Sequence, residues 1–294
     1  MLLDFLHPNI LALLSATFIS FARVAQRYAV VRMSALFANL IMAIVTALFG
    51  WIFYSIDIPA LNITFEGVLW FMAVGFFGAF AGRYCNLLAL SLTGLARAAI
   101  VAQTVLIWSA LFAVFGLGEE MTLPIALGTA LIMFSSMMIV YDGKSSGKRR
   151  IPIYYYLVPA LSALMYAFAH LTGKVAFSMI DSSSFGMAIS NTTSLSLLIF
   201  MIPFHQAGRL KEWDKKGFLM LLFGAISQSF GILCFWSAMK SGKITQIIPL
   251  SRLSLLIIVF LTWYFFREQE KLTYRVFVGA VLALVGAYGV VYGR

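Results

Sequence analysis

Apolar residues run along this chain in blocks of about twenty, each ended by a short polar interruption. A block of that length, coiled as a helix, spans the hydrocarbon of a bilayer. The pattern predicts ten such spans: 9–28, 33–55, 67–92, 96–117, 122–141, 153–178, 184–204, 217–239, 244–265 and 273–292. Between them lie "DIPALNITFE", "GEEMT", "DGKSSGKRR", "DSSS", "QAGRLKEWDKK" and "REQEK". Connections this short hold no extramembrane domain. The expected fold is an all-α polytopic membrane protein with ten transmembrane helices.

Composition agrees. Of 294 residues, 62% are apolar and 11% charged, against about 25% charged in a soluble domain. The opening "MLLDFLHPN" carries an acid and no basic stretch, so a cleaved signal peptide is not expected. A net charge of +10 raises nucleic acid as a partner. However, the basic residues sit in short loops between spans, where anionic lipid headgroups are their natural counter-charge. The bilayer is the expected partner, and nucleic acid is not. Cys85 and Cys234 fall inside spans, with neither the number nor the spacing of a metal site or disulfide framework.

The chain is written twice. At an offset of 149, Gly75 meets Gly224, Gly82 meets Gly231, Cys85 meets Cys234, Ala89 meets Ala238 and Glu119 meets Glu268. At 147, "LSATFISFARVAQR" aligns with "LSALMYAFAHLTGK", which pairs Arg23 with His170 and Arg27 with Lys174. The basic run from Lys144 to Arg150 divides the halves, 1–150 and 151–294, with five spans each. A unit that crosses an odd number of times enters its second copy from the opposite face. Inverted repeats follow, and they favour secondary transport at the repeat interface.

The stretch "ALSLTGLARAAIVAQTVLIWSALFAVFGLGEEMTLPIALGTALIMFSSMMIVYDG" resembles the closing helices of the EamA repeat of the drug/metabolite transporter superfamily, with its "LGE" followed by a helix centred on Gly128. A second copy, "SAMKSGKITQIIPLSRLSLLIIVFLTWYFFREQEKLTYRVFVGAVLALVGAYGVVYGR", places Glu268 and Gly279 correspondingly. The resemblance implies a ten-helix carrier of amino acids, nucleotide sugars, sugar phosphates or other metabolites. One feature departs from the family: the proline usual in the fourth helix of each repeat is missing from 96–117, and Pro249 comes early in the second half.

Candidate chemistry lies in the polar residues of the spans. Arg23, Arg27, Arg83, Arg97, Lys174 and Arg252, with His170, lie within or at the margins of apolar runs, and no acid falls clearly inside one. Arg27, Arg97 and Lys174 are close enough to span ends to reach headgroups by snorkelling. Arg83 stands about nine residues from the nearer end of its span, roughly 13 Å at helical rise. It flanks a stripe of small or polar residues, Gly75, Ala79, Gly82 and Asn86, of the kind that allows helices to approach closely. Two readings compete: an arginine bonded to backbone carbonyls in a plain helix contact, and one that lines a wet cavity. Ser20, Arg23 and Arg27 share one helix face, as do Ser162, Tyr166, His170 and Lys174. A basic cavity without a carboxylate requires its counter-charge from the cargo.

The expected substrate is therefore a small anionic or zwitterionic metabolite, bound by Arg83 with Arg23, Lys174 or Arg252. Asn39, Asn86, Asn191, Gln103 and Gln228 are candidates for orienting hydrogen bonds, and Tyr166 and Trp236 for walls. Export of amino acids or amphiphilic compounds is the alternative. His170 is the candidate for proton coupling, with exchange or facilitated diffusion ahead of it. Neither enzymatic activity nor a cofactor is expected, since His7, His170 and His205 share no ligand spacing and the acids sit in loops. A channel is the remaining rival. Basic residues after spans one, five, seven and nine put those loops in the cytoplasm and both termini outside, in a membrane of the bacterial inner-membrane type.

Overall fold

The computed structural model describes residues 3, 5–30, 33, 35–57, 62–93, 98, 101–142, 152–201, 215–265 and 274–293. These residues form a bundle of helices without a strand. Helix α1 is Pro8–Val30 and α2 is Ala35–Ile56. Helix α3 has three consecutive parts: Phe65–Val74, a π-helical segment Gly75–Gly82, and Arg83–Thr93. Helix α4, Val105–Leu111, runs on into a π-helical turn, Phe112–Gly116. Then come α5 (Leu123–Asp142), α6 (Leu157–Met179), α7 (Ser183–Met201), α8 (Lys215–Ser241), α9 (Ile244–Ser251), α10 (Ser254–Phe265) and α11 (Tyr274–Tyr292).

Six segments are long and apolar enough to cross a membrane: Pro8–Gln26, Leu36–Ile56, Phe65–Ala89, Ile153–Met179, Ser183–Met201 and Lys215–Ser241. Four shorter apolar helices accompany them, Val105–Gly116, Leu123–Met138, Ile244–Ile258 and Phe277–Tyr292. Large apolar side chains such as Leu48, Phe115, Phe200, Leu219 and Phe277 project outward along the bundle, as a lipid-facing surface requires.

Two spans read as continuous from the sequence are broken. Between 96 and 117 the chain turns at Gln103–Thr104, and between 244 and 265 it turns at Arg252–Leu253. The two breaks use the same backbone bonds, one repeat offset apart. Thr104 N donates to Val101 O at 3.0 Å and Leu106 N to Gln103 O at 3.0 Å; correspondingly, Leu253 N donates to Leu250 O and Leu255 N to Arg252 O, both at 3.1 Å. Such bonds, one residue shorter than α-helical ones, tighten the turn. Pro249 lies inside α9, three residues before the second break, where its missing N–H removes one helical bond. The first forms with no proline within its described residues, so the proline missing from 96–117 is not needed to bend it.

Helix contacts run in opposite chain senses. Down α2 and up α7, Gly50 meets the backbone of Ala188, Thr46 pairs with Asn191, and Leu36 and Ala43 cluster with Leu198. Along α5 and α11, Thr122 Oγ1 donates to Gly293 O at 2.7 Å and Ser135 Oγ to Gly279 O at 2.6 Å. Between those ends, a Cβ on Gly128 would stand 2.5 Å from Gly286 O, so only glycine permits the approach. Gly82 of α3 faces Tyr166 of α6, and Gly231 of α8 faces Ile19 of α1. Those two contacts superpose through the 149- and 147-residue offsets.

The π-helical segment corrects the stripe expected on α3. The residues buried there are Gly75, Gly78, Gly82 and Arg83, whereas Ala79 is only partly buried. A π-helical turn holds more residues than an α-turn, so counting at 3.6 residues per turn drifts off the buried face.

Candidate functional site

Arg83 sits where the π-helical segment gives way to regular helix, and its side chain is buried. One guanidinium nitrogen, Nη2, donates to Asn191 Oδ1 at 3.1 Å. The same Oδ1 lies 2.8 Å from Thr46 Oγ1, and Asn191 Nδ2 donates to Met187 O at 2.9 Å. That second bond fixes which way the amide points. The other terminal nitrogen, Nη1, is buried without a protein partner. The contact is thus not the plain one, in which backbone carbonyls satisfy an arginine.

Two further arginines reach the same place. On α1, Ser20 Oγ lies 2.5 Å from Ala16 O and 2.9 Å from Ser254 O, a carbonyl just beyond the α9–α10 break. This pins the break to α1 one turn from Arg23. Arg252, on the break itself, interacts electrostatically with Arg23, and both guanidinium groups act on the phenol of Tyr166, as does Arg83. Arg23, Tyr166 and Arg252 are partly accessible. Arg252 Nε is buried and unpartnered, and so is Gln103 Oε1 on the matching α4 break.

His170 borders this cluster and interacts with Arg252. Its Nδ1 lies 2.8 Å from Ser109 Oγ, and its ring stands 5.5 Å from that of Phe235. Asn39 is fully buried with both amide atoms unpartnered. Asn86 is partly accessible. Gln228 is held by Gln26 Nε2 at 2.5 Å, between α8 and α1.

The structure places other candidates apart. The Lys174 ammonium donates to Gly242 O at 2.7 Å and Met239 O at 2.9 Å, capping the C-terminal end of α8. Trp236 packs on Gly173 and Phe177 in the apolar core, and its neighbour Phe235 takes the place beside His170. The side chain of Arg27, and Arg97 as a whole, lie outside the described residues, as does Glu268.

Thr46, Ser109 and Gln26 are not among the residues expected from the sequence, and Glu119 entered there only as a mark of the repeat. Thr46 and Ser109 are single hydroxyls in otherwise apolar blocks, "AIVTALF" and "LIWSALF", and that isolation was the available signal. Glu119 Oε1 accepts from Ile244 N at 2.8 Å, while its Oε2 accepts from Thr245 N at 2.9 Å and Thr245 Oγ1 at 3.0 Å. It therefore caps α9, the helix that leads to Arg252.

An apolar outer surface around a bundle whose cations meet inside defines an integral, multi-pass membrane protein. The sequence matches the EamA-like transporter family over residues 7–141 and again over 153–292, and the chain belongs to that family, whose members carry small molecules across membranes. No curated protein matches it in sequence. Among solved structures 29 chains match. One of them, described as "Crystal structure of protein", has a TM-score of 0.76 over 96% of this chain and 95% of its own at 16% identity, a likeness of fold.

Proposed function

We propose that this protein is a secondary transporter that moves a small anionic or zwitterionic metabolite by alternating access between two inverted five-helix repeats, residues 1–150 and 151–294. The observation that carries the reading is that Arg83, beside the Gly82–Tyr166 contact, and Arg252, on a break that Ser20 ties to α1 one turn from Arg23, each bury a guanidinium nitrogen with no protein partner. Matched breaks in α4 and α9–α10 support it, because discontinuous helices at corresponding positions of two halves mark carrier binding sites. Antiparallel packing of α2 on α7 and of α5 on α11 is the arrangement that a two-fold axis in the membrane plane produces. The reading counts the six long apolar segments and the four shorter ones as ten crossings.

Purified protein in liposomes is expected to show saturable uptake of an anionic metabolite, accelerated by the same metabolite inside. Arg23→Gln should lower that uptake at least tenfold, since a hydrogen bond to a charged group contributes roughly 1.5–3 kcal/mol. Uptake of every anionic candidate at the wild-type rate in Arg23→Gln would sink this assignment. Flux that rises linearly with concentration would move the chain to the channels. Exchange is the proposed mode, and the same assay under an imposed pH gradient tests the second mode, proton coupling near His170.

Export of amphiphilic compounds is the second reading. Phe77 of α3, Phe168 of α6 and Phe112 at the end of α4 form a run of rings, with centroids 5.3 and 4.8 Å apart, and the middle ring lies on the helix that carries Tyr166 and His170.

The basic loops place Ser146 in the cytoplasm, and the loop that carries Glu120 outside, in an inner-membrane type of bilayer. Ser183 is a poor reporter of the outer face because it is buried and 2.9 Å from Ser237 Oγ; Glu120 is exposed. In a background without Cys85 and Cys234, a membrane-impermeant maleimide should label Glu120→Cys in intact cells, and Ser146→Cys only after lysis. The opposite result would invert the topology.

A further inference from the structure

We infer that the cargo is a dianion, a phosphate monoester or a dicarboxylate, and not a monoanion or a zwitterion. The inference rests on the anion-carrier reading above and narrows it. Each guanidinium presents five N–H donors and no acceptor. Across Arg23, Arg83 and Arg252, one protein acceptor, Asn191 Oδ1, is engaged among the described residues. Arg83 Nη1 and Arg252 Nε are buried without any partner, and Arg23 and Arg252 act on each other as like charges.

The acids whose side chains the structure describes are committed elsewhere or lie outside the cluster. Glu119 caps α9, Asp181 pairs with Lys240 at 3.2 Å, and Asp57 accepts from Ser184 at 2.7 Å. Glu66 is exposed in the first turn of α3, and Glu120 is exposed in the loop before α5. A monocarboxylate brings one charge against three and leaves two guanidinium groups facing each other. A zwitterion adds a fourth cation. A dianion offers acceptors on two sides, so that Arg83 and Arg252 each meet an oxygen, and it leaves one net positive charge for Arg23 to hold in the partly accessible space.

Binding of named probes to the full-length protein in detergent, read as thermal stabilisation against concentration, tests this. The probes are glycerol phosphate and succinate as dianions, lactate as a monoanion, and alanine as a zwitterion, at pH 7.5 and constant ionic strength. One dianion is expected to bind at least tenfold more tightly than lactate and alanine. A preference for glycerol phosphate assigns a phosphate monoester, and a preference for succinate a dicarboxylate. Arg252→Gln should reduce the dianion preference to threefold or less, whereas Arg252→Lys should keep most of it. Lactate or alanine binding as tightly as either dianion overturns the dianion while leaving an organic-ion carrier standing. Absence of binding by all four probes, in protein that still melts cooperatively, overturns both.

Discussion

Arg83→Gln is expected to lower anion uptake by about a hundredfold and to leave the protein as stable as before, or more so. The two effects separate because the wild-type guanidinium is only partly satisfied. Nη2 bonds Asn191, but Nη1 is buried with no partner, and an unpaired buried donor on a charged group destabilises the fold. Glutamine keeps an N–H for Asn191 Oδ1 and removes the charge, so folding loses little. Anion binding loses a charged, directional partner, for which truncation costs roughly 2–5 kcal/mol. Liposome uptake and thermal unfolding of the same preparation check the pair of outcomes. A variant that transports normally removes Arg83 from the site, and one that fails to fold makes its role structural.

Glu119→Ala is expected to destabilise the protein by about 3 kcal/mol and to slow transport as well. Three hydrogen bonds end on this carboxylate, two of them from backbone N–H groups at the start of α9, where a negative charge also meets the positive end of the helix dipole. Bonds to charged groups contribute roughly 1.5–3 kcal/mol each and are not additive. Across the turn, Lys174 holds the carbonyl end of α8. Opposite charges therefore grip the two sides of the turn at Ser241–Lys243, and α9 delivers Arg252 at its far end. A double-mutant cycle with Lys174→Met, read by thermal unfolding, should show coupling above about 0.5 kcal/mol. A Glu119→Ala protein within about 0.5 kcal/mol of wild type would remove the cap from the account.

The helical membrane class was legible because each apolar run is long and its interruptions are abrupt. Arg83 and Arg23 were legible for the opposite reason, being charges where charge is costly. What the sequence hid depends on geometry without a compositional mark. A π-helical segment uses the same glycines and phenylalanines as an α-helix, and the break at Gln103–Thr104 has no proline beside it. The pairing of Arg83 with Asn191 joins residues 108 positions apart. Lys174 read as a binding residue because its helix face carries Tyr166 and His170, yet its long side chain reaches the next helix end instead. Trp236 and Phe235 are adjacent in sequence, so a reading of composition had no means of choosing between them.

The two breaks share their backbone bonds, while the repeat pairs differ in charge. At equivalent places Arg83 stands against Ile232, Arg252 against Gln103 and Arg23 against His170. A carrier with identical halves would rest equally often open to either compartment, since one state is the other turned over. Under the proposed alternating-access cycle these unequal pairs, with Arg23 and Arg83 in one half and Arg252 in the other, give the two empty states different energies, so one opening is the more populated.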